Sequence, residues 1–397
     1  MTYRLLRSRE ENPQLPKIEL HWSSSRFLTT ELSKTKALAK VATGPINALD
    51  IEALEGRYLL AGSADTTIHL YDLEEWDAVS SGSDRASTGL RRPAPARALS
   101  RPVATVERRA GHEYSVTGVH WFPSDTGLFT TSSMDGTVKV WDTNVMQSVC
   151  TFNIENHVYV HEMSSVATSH NLIATGTAES SVRLCDMRTG AFTHSLMGHR
   201  GSVLTVRWSP RDEFLLASGS TDHTIRFWDI RKAKACLISL DQHETGSRRR
   251  EDNGDNDSTS AHNGHVNGLG FTSDGLYLIS AGHDESLRLW DVFLGKNTLV
   301  NYGPHLRNRV FHVLQPTITP LSSCYPPLLF QPSDNRQVLV FNLWSGELMM
   351  RLKRHAGRVG CVALRHGHEE LYSGGNDHEI FCWNPRKDNI LADEGAR

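Results

Sequence analysis

The sequence predicts an all-β fold, a seven-bladed β-propeller with a short N-terminal helical extension. Two observations predict it. A unit recurs along the 397-residue chain in one order: a short apolar strand, small residues, a turn centred on Asp, and an alternating strand that ends in Trp-Asp. Seven copies of this unit can be counted. Because one propeller blade takes about 40–45 residues and four strands, seven copies account for most of the chain.

Four copies of the repeat are clear: FTTSSMDGTVKVWD, LASGSTDHTIRFWD, LISAGHDESLRLWD and LYSGGNDHEIFCWN. In each, the turn Asp stands six residues before the Trp, as in Asp135 and Trp141, Asp222 and Trp228, Asp284 and Trp290, and Asp377 and Trp383. Three weaker copies keep the spacing with Asp65 and Tyr71, Glu179 and Cys185, and Asn335 and Phe341. The pattern is that of WD repeats.

Each clear copy also opens with a His and carries a hydroxyl residue four positions before the turn Asp. The pairs are His112 and Thr131, His199 and Ser218, His262 and Ser280, and His355 and Ser373. We predict that the His, hydroxyl, Asp and Trp side chains of one copy hydrogen-bond in series, with the indole N–H as the terminal donor. A serine hydrolase would need the same residue types, but the trio recurs four times and no GxSxG motif accompanies it. We interpret it as structural and expect neither catalytic residues nor an enzyme.

The spacing of the repeats divides the chain. We predict an N-terminal helix–loop–helix extension at 1–35, the propeller at 36–385, and a C-terminal tail at 386–397. Two gaps between copies are long, and the polar segments that fill them, 74–101 and 241–261, are predicted to be disordered insertions. The last copy lacks a fourth strand, and because an open ring would expose strand edges, we expect ALAKVA, residues 37–42, to supply it.

Composition and charge exclude several classes of function. The net charge of −3 gives no general attraction to nucleic acid or anionic lipid. Arginines crowd both insertions, including Arg91, Arg92 and residues 248–250, either as solvated linkers or as a nuclear-import or nucleic-acid-proximal element. No aromatic residues interleave with them, so we expect no sequence-specific nucleic-acid binding. We also expect a soluble intracellular protein without membrane contact, with no cofactor and no metal; His366 and His368 more readily form a solvated loop.

Apolar residues in the N-terminal extension allow two interpretations. Leu5 and Leu6 could form one helical face, and Ser24 could cap a second helix that contains Phe27, Leu28 and Leu32. Either these side chains pack under the propeller, or the helices insert into a groove on a partner.

Several stretches outside the repeat consensus resemble the Cockayne syndrome group A family. They include GRYLLAGSAD, GHRGSVLTVRWSPRDEFLLASGSTD and above all NTLVNYG at residues 297–303, which the repeat itself does not require. The resemblance implies a substrate-receptor subunit of a cullin-4 RING ubiquitin ligase, a nuclear monomer within a larger complex. It would bind the triple-propeller adaptor and act in transcription-coupled nucleotide excision repair, beside stalled RNA polymerase II and its repair factors.

The same resemblance implies a set of adaptor contacts. The family docks through its N-terminal helix–loop–helix, so the candidates are Leu5, Leu6, Phe27, Leu28 and Leu32. A W-D-x-R pattern adds Arg231, with a degraded copy at Arg188. The sixth copy departs from the family because its prolines and missing turn Asp predict an irregular blade. The alternative is a general WD-repeat scaffold that binds chromatin or other peptides at the mouth of the central channel.

Overall fold

The computed structural model describes residues 25–78, 98–108, 110–232, 236–242, 260–365 and 367–386, and these form a seven-bladed β-propeller. The predicted fold class is therefore confirmed. Helix occurs within these ranges only at residues 25–27. No helix in this described part of the chain has the length and apolarity needed to cross a membrane.

The strands of the N-terminal segment and the first two blades come first in the chain. They are β1 (Thr30–Leu32), β2 (Lys36–Leu38), β3 (Ile46–Ile51), β4 (Tyr58–Ser63), β5 (Ile68–Asp72), β6 (Asp77–Ala78), β7 (Ala98–Ser100), β8 (Pro102–Val106), β9 (Val116–Trp121), β10 (Leu128–Ser133), β11 (Thr137–Asp142) and β12 (Gln147–Asn153). Blades 3 to 5 hold β13 (Val158–Met163), β14 (Leu172–Thr177), β15 (Ser181–Asp186), β16 (Ala191–Met197), β17 (Val203–Trp208), β18 (Leu215–Ser220), β19 (Ile225–Asp229), β20 (Cys236–Ser239), β21 (Val266–Phe271), β22 (Tyr277–Gly282), β23 (Leu287–Asp291) and β24 (Lys296–Asn297). The remaining strands are β25 (Thr317–Ile318), β26 (Leu328–Ser333), β27 (Gln337–Asn342), β28 (Leu348–Lys353), β29 (Val359–Arg365), β30 (Glu370–Gly375) and β31 (Ile380–Pro385).

Each blade is an antiparallel four-stranded sheet. Blade 1 is β3-β4-β5-β8, blades 2 to 6 take β9 to β28 in groups of four, and blade 7 is β29-β30-β31-β1. The first strand of each blade lines the central channel. The loop face of the ring carries the connections from one blade to the next, and the turn face carries the turns between the first and second strands.

Seven apolar cores hold the ring together, one between each pair of neighbouring blades. The repeat aromatics Trp141, Trp228 and Trp290 are among the largest fully buried side chains. Glycine in the second strands lets the blades approach closely: a Cβ on Gly219 would lie 2.7 Å from Cγ1 of Val266 in the next blade. Because neighbouring sheets share one core, no blade buries its apolar faces alone.

The N-terminal segment closes the ring, but through a different strand from the one predicted. β1 pairs antiparallel with β31, with Thr30 opposite Pro385 and Leu32 opposite Trp383. The predicted segment 37–42 instead contributes to β2, which pairs in parallel with β7 in a separate three-stranded sheet. Leu38 and Ala42 of that segment are buried between blades 7 and 1. Its apolar residues therefore fill a seam between blades and do not extend the edge of one.

The predicted insertions also differ from the structure at their ends. In the segment 74–101, β6 and β7 pair with each other, so both described ends of this predicted disordered insertion belong to a sheet. In the segment 241–261, the backbone N–H of Gln242 donates to the carbonyl of Ser260 at 2.9 Å, which ties the two ends together. The interiors, 79–97 and 243–259, lie outside the described residues, as do the predicted tail from 387 onward and residues 1–24.

Candidate functional site

The structure brings together the four side chains of each clear repeat. In every set the His Nδ1 lies 2.8 or 2.9 Å from a carboxylate oxygen, the His Nε2 lies 2.7 or 2.8 Å from the hydroxyl, and the indole N–H donates to that hydroxyl over 2.7 to 2.9 Å. The sets are Asp135, His112, Thr131 and Trp141; Asp222, His199, Ser218 and Trp228; Asp284, His262, Ser280 and Trp290; and Asp377, His355, Ser373 and Trp383.

The order of these hydrogen bonds determines which ring nitrogen of the His carries the proton and which atom is the donor in each bond. The carboxylate accepts from the Nδ1–H, so the Nε2 accepts from the hydroxyl, and the hydroxyl oxygen accepts from the indole. Burial raises the pKa of Asp222, but the hydrogen bonds from His199, Arg200 and Thr224 outweigh burial and hold the pKa well below its usual range. Each set is a chain of bonds from the loop face into the blade.

This arrangement has the residue types of a hydrolytic triad but not its accessibility. The Ser218, Ser280 and Ser373 side chains are fully buried, and each hydroxyl oxygen already accepts an indole N–H. A nucleophile must reach its substrate, and these hydroxyls lie inside the blades. The role of these hydrogen-bonded sets is structural: they fix the register of the first three strands of a blade.

The predicted adaptor contacts at the N-terminus lie in two different environments. Leu5 and Leu6 fall outside the described residues. Phe27 is only 5% exposed and meets Phe330 edge to face, with ring centroids 6.2 Å apart, in the core between blades 6 and 7. Leu32 lies in β1, not in the predicted helix, and packs against the same core, whereas Leu28 is half-buried. For Phe27 and Leu32 the structure fits the packing interpretation, because a partner could reach Phe27 only by opening this seam.

Arg231 stands on the turn face, after the third strand of blade 4, with 55% of its side chain exposed. Its guanidinium donates from both Nε and a terminal nitrogen to the carboxylate of Asp229, at 2.9 and 3.0 Å. It also stacks 4.4 Å from the ring centroid of Phe214. The hydrogen bonds to Asp229 raise the pKa of the guanidinium. The result is a permanently charged, planar group held in one position on an exposed surface. The degraded copy, Arg188, is also exposed.

An aromatic side chain from the segment before blade 6 lies across the loop-face mouth of the central channel. Blade 6 itself, which the sequence predicted to be irregular, is a four-stranded antiparallel sheet like the other blades. Phe311, which precedes β25, reaches Tyr159 of blade 3, with ring centroids 5.6 Å apart. It also contacts the rings of His265 and His283 in blade 5, each at 6.4 Å. Because blades 3 and 6 stand on opposite sides of the ring, Phe311 crosses the channel.

Below Phe311 the channel widens into a cavity of about 460 Å³. Its wall carries ionisable side chains at one level: Asp50, His120, Glu162 and Arg207. Arg207 donates to Glu162 Oε1 at 2.7 Å, to the carbonyl of Leu269 at 3.1 Å, and to Gln315. The structure therefore gathers charges that the sequence analysis did not single out.

A signal for this cluster is present in the sequence. Asp50, His120, Glu162 and Arg207 are each the fifth residue of the first strand of their blade, in four consecutive blades. Equivalent positions of a propeller face the channel at the same depth. An ionisable residue at one repeat position in four neighbouring inner strands would have located the site.

Among the residues that the structure describes, no group of three or more His, Cys, Asp and Glu side chains could hold a metal ion. The predicted loop residue His366 lies outside them. The neighbouring carboxylates have other partners: Glu369 pairs with Arg26 at 2.9 Å, and Glu370 accepts from Tyr372 at 2.9 Å.

The sequence of this chain is similar to those of several known proteins. The WD40 family (WD domain, G-beta repeat) matches residues 101–142, 190–229, 256–291 and 346–384. The chain is 34% identical to the WD repeat-containing protein ATCSA-1 of Arabidopsis thaliana over 442 aligned positions, which cover 94% of each chain. It is also 34% identical to the ribosome biogenesis protein WDR12 homolog of Drosophila mojavensis, but over only 45% of this chain and 40% of that protein.

Proposed function

This chain belongs to the WD-repeat family that includes ATCSA-1, and from that premise we propose that it is the substrate-receptor subunit of a cullin-4 RING ubiquitin ligase. In this role it acts in the nucleus, in transcription-coupled nucleotide excision repair beside stalled RNA polymerase II. The observation that carries the proposal is the identity to ATCSA-1 along almost the whole of both chains, including parts outside the repeat consensus. The WDR12 homologs match over 45–56% of this chain, a partial match that WD repeats shared by proteins of different function can produce.

The architecture suits a receptor that holds other proteins. A propeller is typically a non-catalytic scaffold, and its rigid ring offers separate faces to separate partners. In this proposal the triple-propeller adaptor binds the N-terminal extension together with the turn face that presents Arg231. Other subunits of the ligase perform the ubiquitin chemistry.

The anchoring of the N-terminal segment supports this use of the extension. β1 and Phe27 fix residues 27–32 to blades 6 and 7. Leu5 and Leu6 belong to the preceding residues 1–24, and we retain them as proposed adaptor contacts. Leu28 stays in the proposal because it is only half-buried.

The test is the binding of the purified adaptor to three forms of the chain. The deletion should remove residues 1–24 and no more, because deleting 1–35 would also remove β1 and Phe27 and open the ring. We expect the full chain to bind, and both the deletion and the double substitution Leu5→Asp, Leu6→Asp to lose at least ten-fold in affinity. Thermal unfolding should show that both variants still fold.

A matched pair of arginine variants tests the turn face separately. Arg231→Ala should weaken adaptor binding in a chain that still folds, although the loss of the ion pair with Asp229 lowers its stability, whereas Arg354→Ala, at an exposed position on the loop face, should bind like the parent chain. Arg231→Lys should not restore binding, because a lysine lacks the planar fork. If the full chain fails to bind the adaptor, or the 1–24 deletion binds equally well, the docking proposal is wrong.

A further inference from the structure

We propose that the cavity inside the propeller is a binding site for one basic side chain, a lysine or arginine, of a partner polypeptide that approaches the turn face. The Asp50 carboxylate is the counter-ion. This inference does not depend on the ligase assignment, because it concerns a site within the ring and is tested on the purified chain.

The cavity extends to the turn face. Its wall includes residues from the turns of several blades, such as Ala53, Pro123 and Ser165, and does not include Phe311 at the other mouth. Its volume of about 460 Å³ lies within the range of about 300–1,000 Å³ that is usual for ligand sites. A side chain that enters from the turn face would end below the rings of Phe311 and Tyr159.

The charges on the wall of the cavity determine which kind of side chain it can bind. Glu162 and Arg207 neutralise each other at 2.7 Å, and Glu162 also accepts the backbone N–H of Trp208 at 2.7 Å. Asp50 has no such charged hydrogen-bond partner among the described residues: its carboxylate accepts the backbone N–H of Trp121, at 2.8 Å from Oδ2, and that of Ile51. The nearest cationic candidate within those residues is His120, whose Nδ1 lies 3.7 Å away.

His120 does not supply a positive charge. Burial, together with the neighbouring His161 and Arg207, holds its pKa well below the usual value, so the ring is neutral at physiological pH. The cluster therefore carries one uncompensated carboxylate, which keeps 31% of its side-chain surface open to the channel. A carboxylate desolvated in this way gains most from an added cation.

The walls fit a cation at the end of an apolar stem. Phe122, Phe271 and Ile318 line the cavity and are only half-buried. They can cover the methylene groups of a long side chain while its charged end reaches Asp50. A bare metal ion would need several more ligands than Asp50 provides.

The environment of Asp50 makes the binding depend on pH. Desolvation raises the pKa of Asp50 to about 7, against the lowering effects of the hydrogen bond from Trp121, the charge of Arg207 and the hydrogen bond from Ile51; Glu162 adds to the rise. These groups and the neutral His120 are the ionisable neighbours that face it from the adjoining blades. A basic ligand needs the ionised carboxylate, so its affinity should rise as the pH increases from 6 to 8.

The test uses fluorescein-labelled heptapeptides of Gly and Ser that carry one central Lys, Arg or norleucine, with binding followed by polarisation. We expect the Lys or Arg peptide to bind, the norleucine peptide to bind at least ten-fold more weakly, and affinity to rise from pH 6 to pH 8. Asp50→Asn, which keeps an acceptor for the Trp121 N–H, should lose at least ten-fold and its pH dependence. Glu55→Gln is the control, since Glu55 is an exposed carboxylate in a turn on the same face.

Three results would overturn the inference: no binding of either basic peptide, equal binding of the norleucine peptide, or unchanged binding by Asp50→Asn. A peptide with a central Glu serves as a fourth probe. If it bound in preference, Arg207 and not Asp50 would govern the channel.

Discussion

Phe311 of blade 6 meets Tyr159 of blade 3 across the central channel, with ring planes at 79° and centroids 5.6 Å apart. This contact joins two blades that share no apolar core. It places two aromatic rings across the loop-face mouth of the channel, and Phe311 itself is 51% exposed.

Removal of the Phe311 ring should cost little stability, because the ring is half in solvent. We expect Phe311→Ala to lower the free energy of unfolding by about 0.5–1.5 kcal/mol, the usual contribution of an aromatic pair, as measured by urea denaturation. Phe293→Ala is the control, since that ring is 91% exposed and its loss should change stability by less than about 0.5 kcal/mol. Equal effects of the two substitutions would show that the cross-channel contact contributes nothing.

The buried hydroxyl of a repeat set should contribute far more to the free energy of unfolding than a hydroxyl on the surface. Ser218→Ala removes both the acceptor of the Trp228 indole and the donor to His199, and leaves these groups buried without partners. We expect a loss of about 1–3 kcal/mol in unfolding free energy. Ser195→Ala, at an exposed position in the outer strand of blade 3, should leave it unchanged, and a loss of the same size there would contradict this account of the set.

Asp50 should destabilise the fold at neutral and higher pH. Its folded pKa of about 7 lies above the unfolded value of about 3.9, so the folded state binds more protons between these values and stability falls as the pH rises through this window. We expect Asp50→Asn to be more stable than the parent by about 1–3 kcal/mol at pH 8, a range reduced for the exposed part of the side chain, and equally stable near pH 4.

The comparison of the two proteins isolates this carboxyl from the buried histidines. His161, for example, has its pKa lowered to about 3 by burial and so destabilises both proteins in acid. Thermal unfolding from pH 4 to pH 8 checks the difference. A constant difference across that range would show that Asp50 keeps an ordinary pKa.

Phe27 should behave as a core residue of the propeller. We expect Phe27→Ala to lower the unfolding free energy by about 3–5 kcal/mol, as is usual for a buried Phe replaced by Ala. Leu28→Ala, at the neighbouring half-buried position, should cost clearly less. A small effect of Phe27→Ala in denaturant titrations would mean that the segment before β1 adds little to the seam between blades 6 and 7.

The repeat made most of the fold predictable because its signals are local. The six-residue spacing between Asp222 and Trp228 along the chain specifies one turn and one strand. The hydrogen bonds of each His, hydroxyl, Asp and Trp set lie within a single repeat and the loop before it. The closing strand escaped prediction because β1 has only three residues and no alternating pattern. ALAKVA looked more like a strand, yet its buried residues Leu38 and Ala42 fill a seam between blades.

The channel cluster could not be read from any one repeat. Asp50 lies in blade 1 and Arg207 in blade 4, so two blades separate them in sequence order, and they share a cavity only because the ring closes. Phe311 lies in the part of the sixth copy that precedes the aligned positions Asn335 and Phe341. A site formed by several repeats can be predicted only when the geometry of the ring is known, whereas the repeat pattern predicts only the contacts within one repeat.

The pairing of β1 with β31 has a consequence for synthesis on the ribosome. Thr30–Leu32 is made before any blade, but its partner strand is made after all the others. The nascent chain must therefore hold an unpaired strand and the uncovered side chain of Phe27 until the seventh blade emerges. At synthesis rates of about 5–20 residues per second, that interval lasts on the order of tens of seconds, during which this short segment is open to chaperones or to a neighbouring chain.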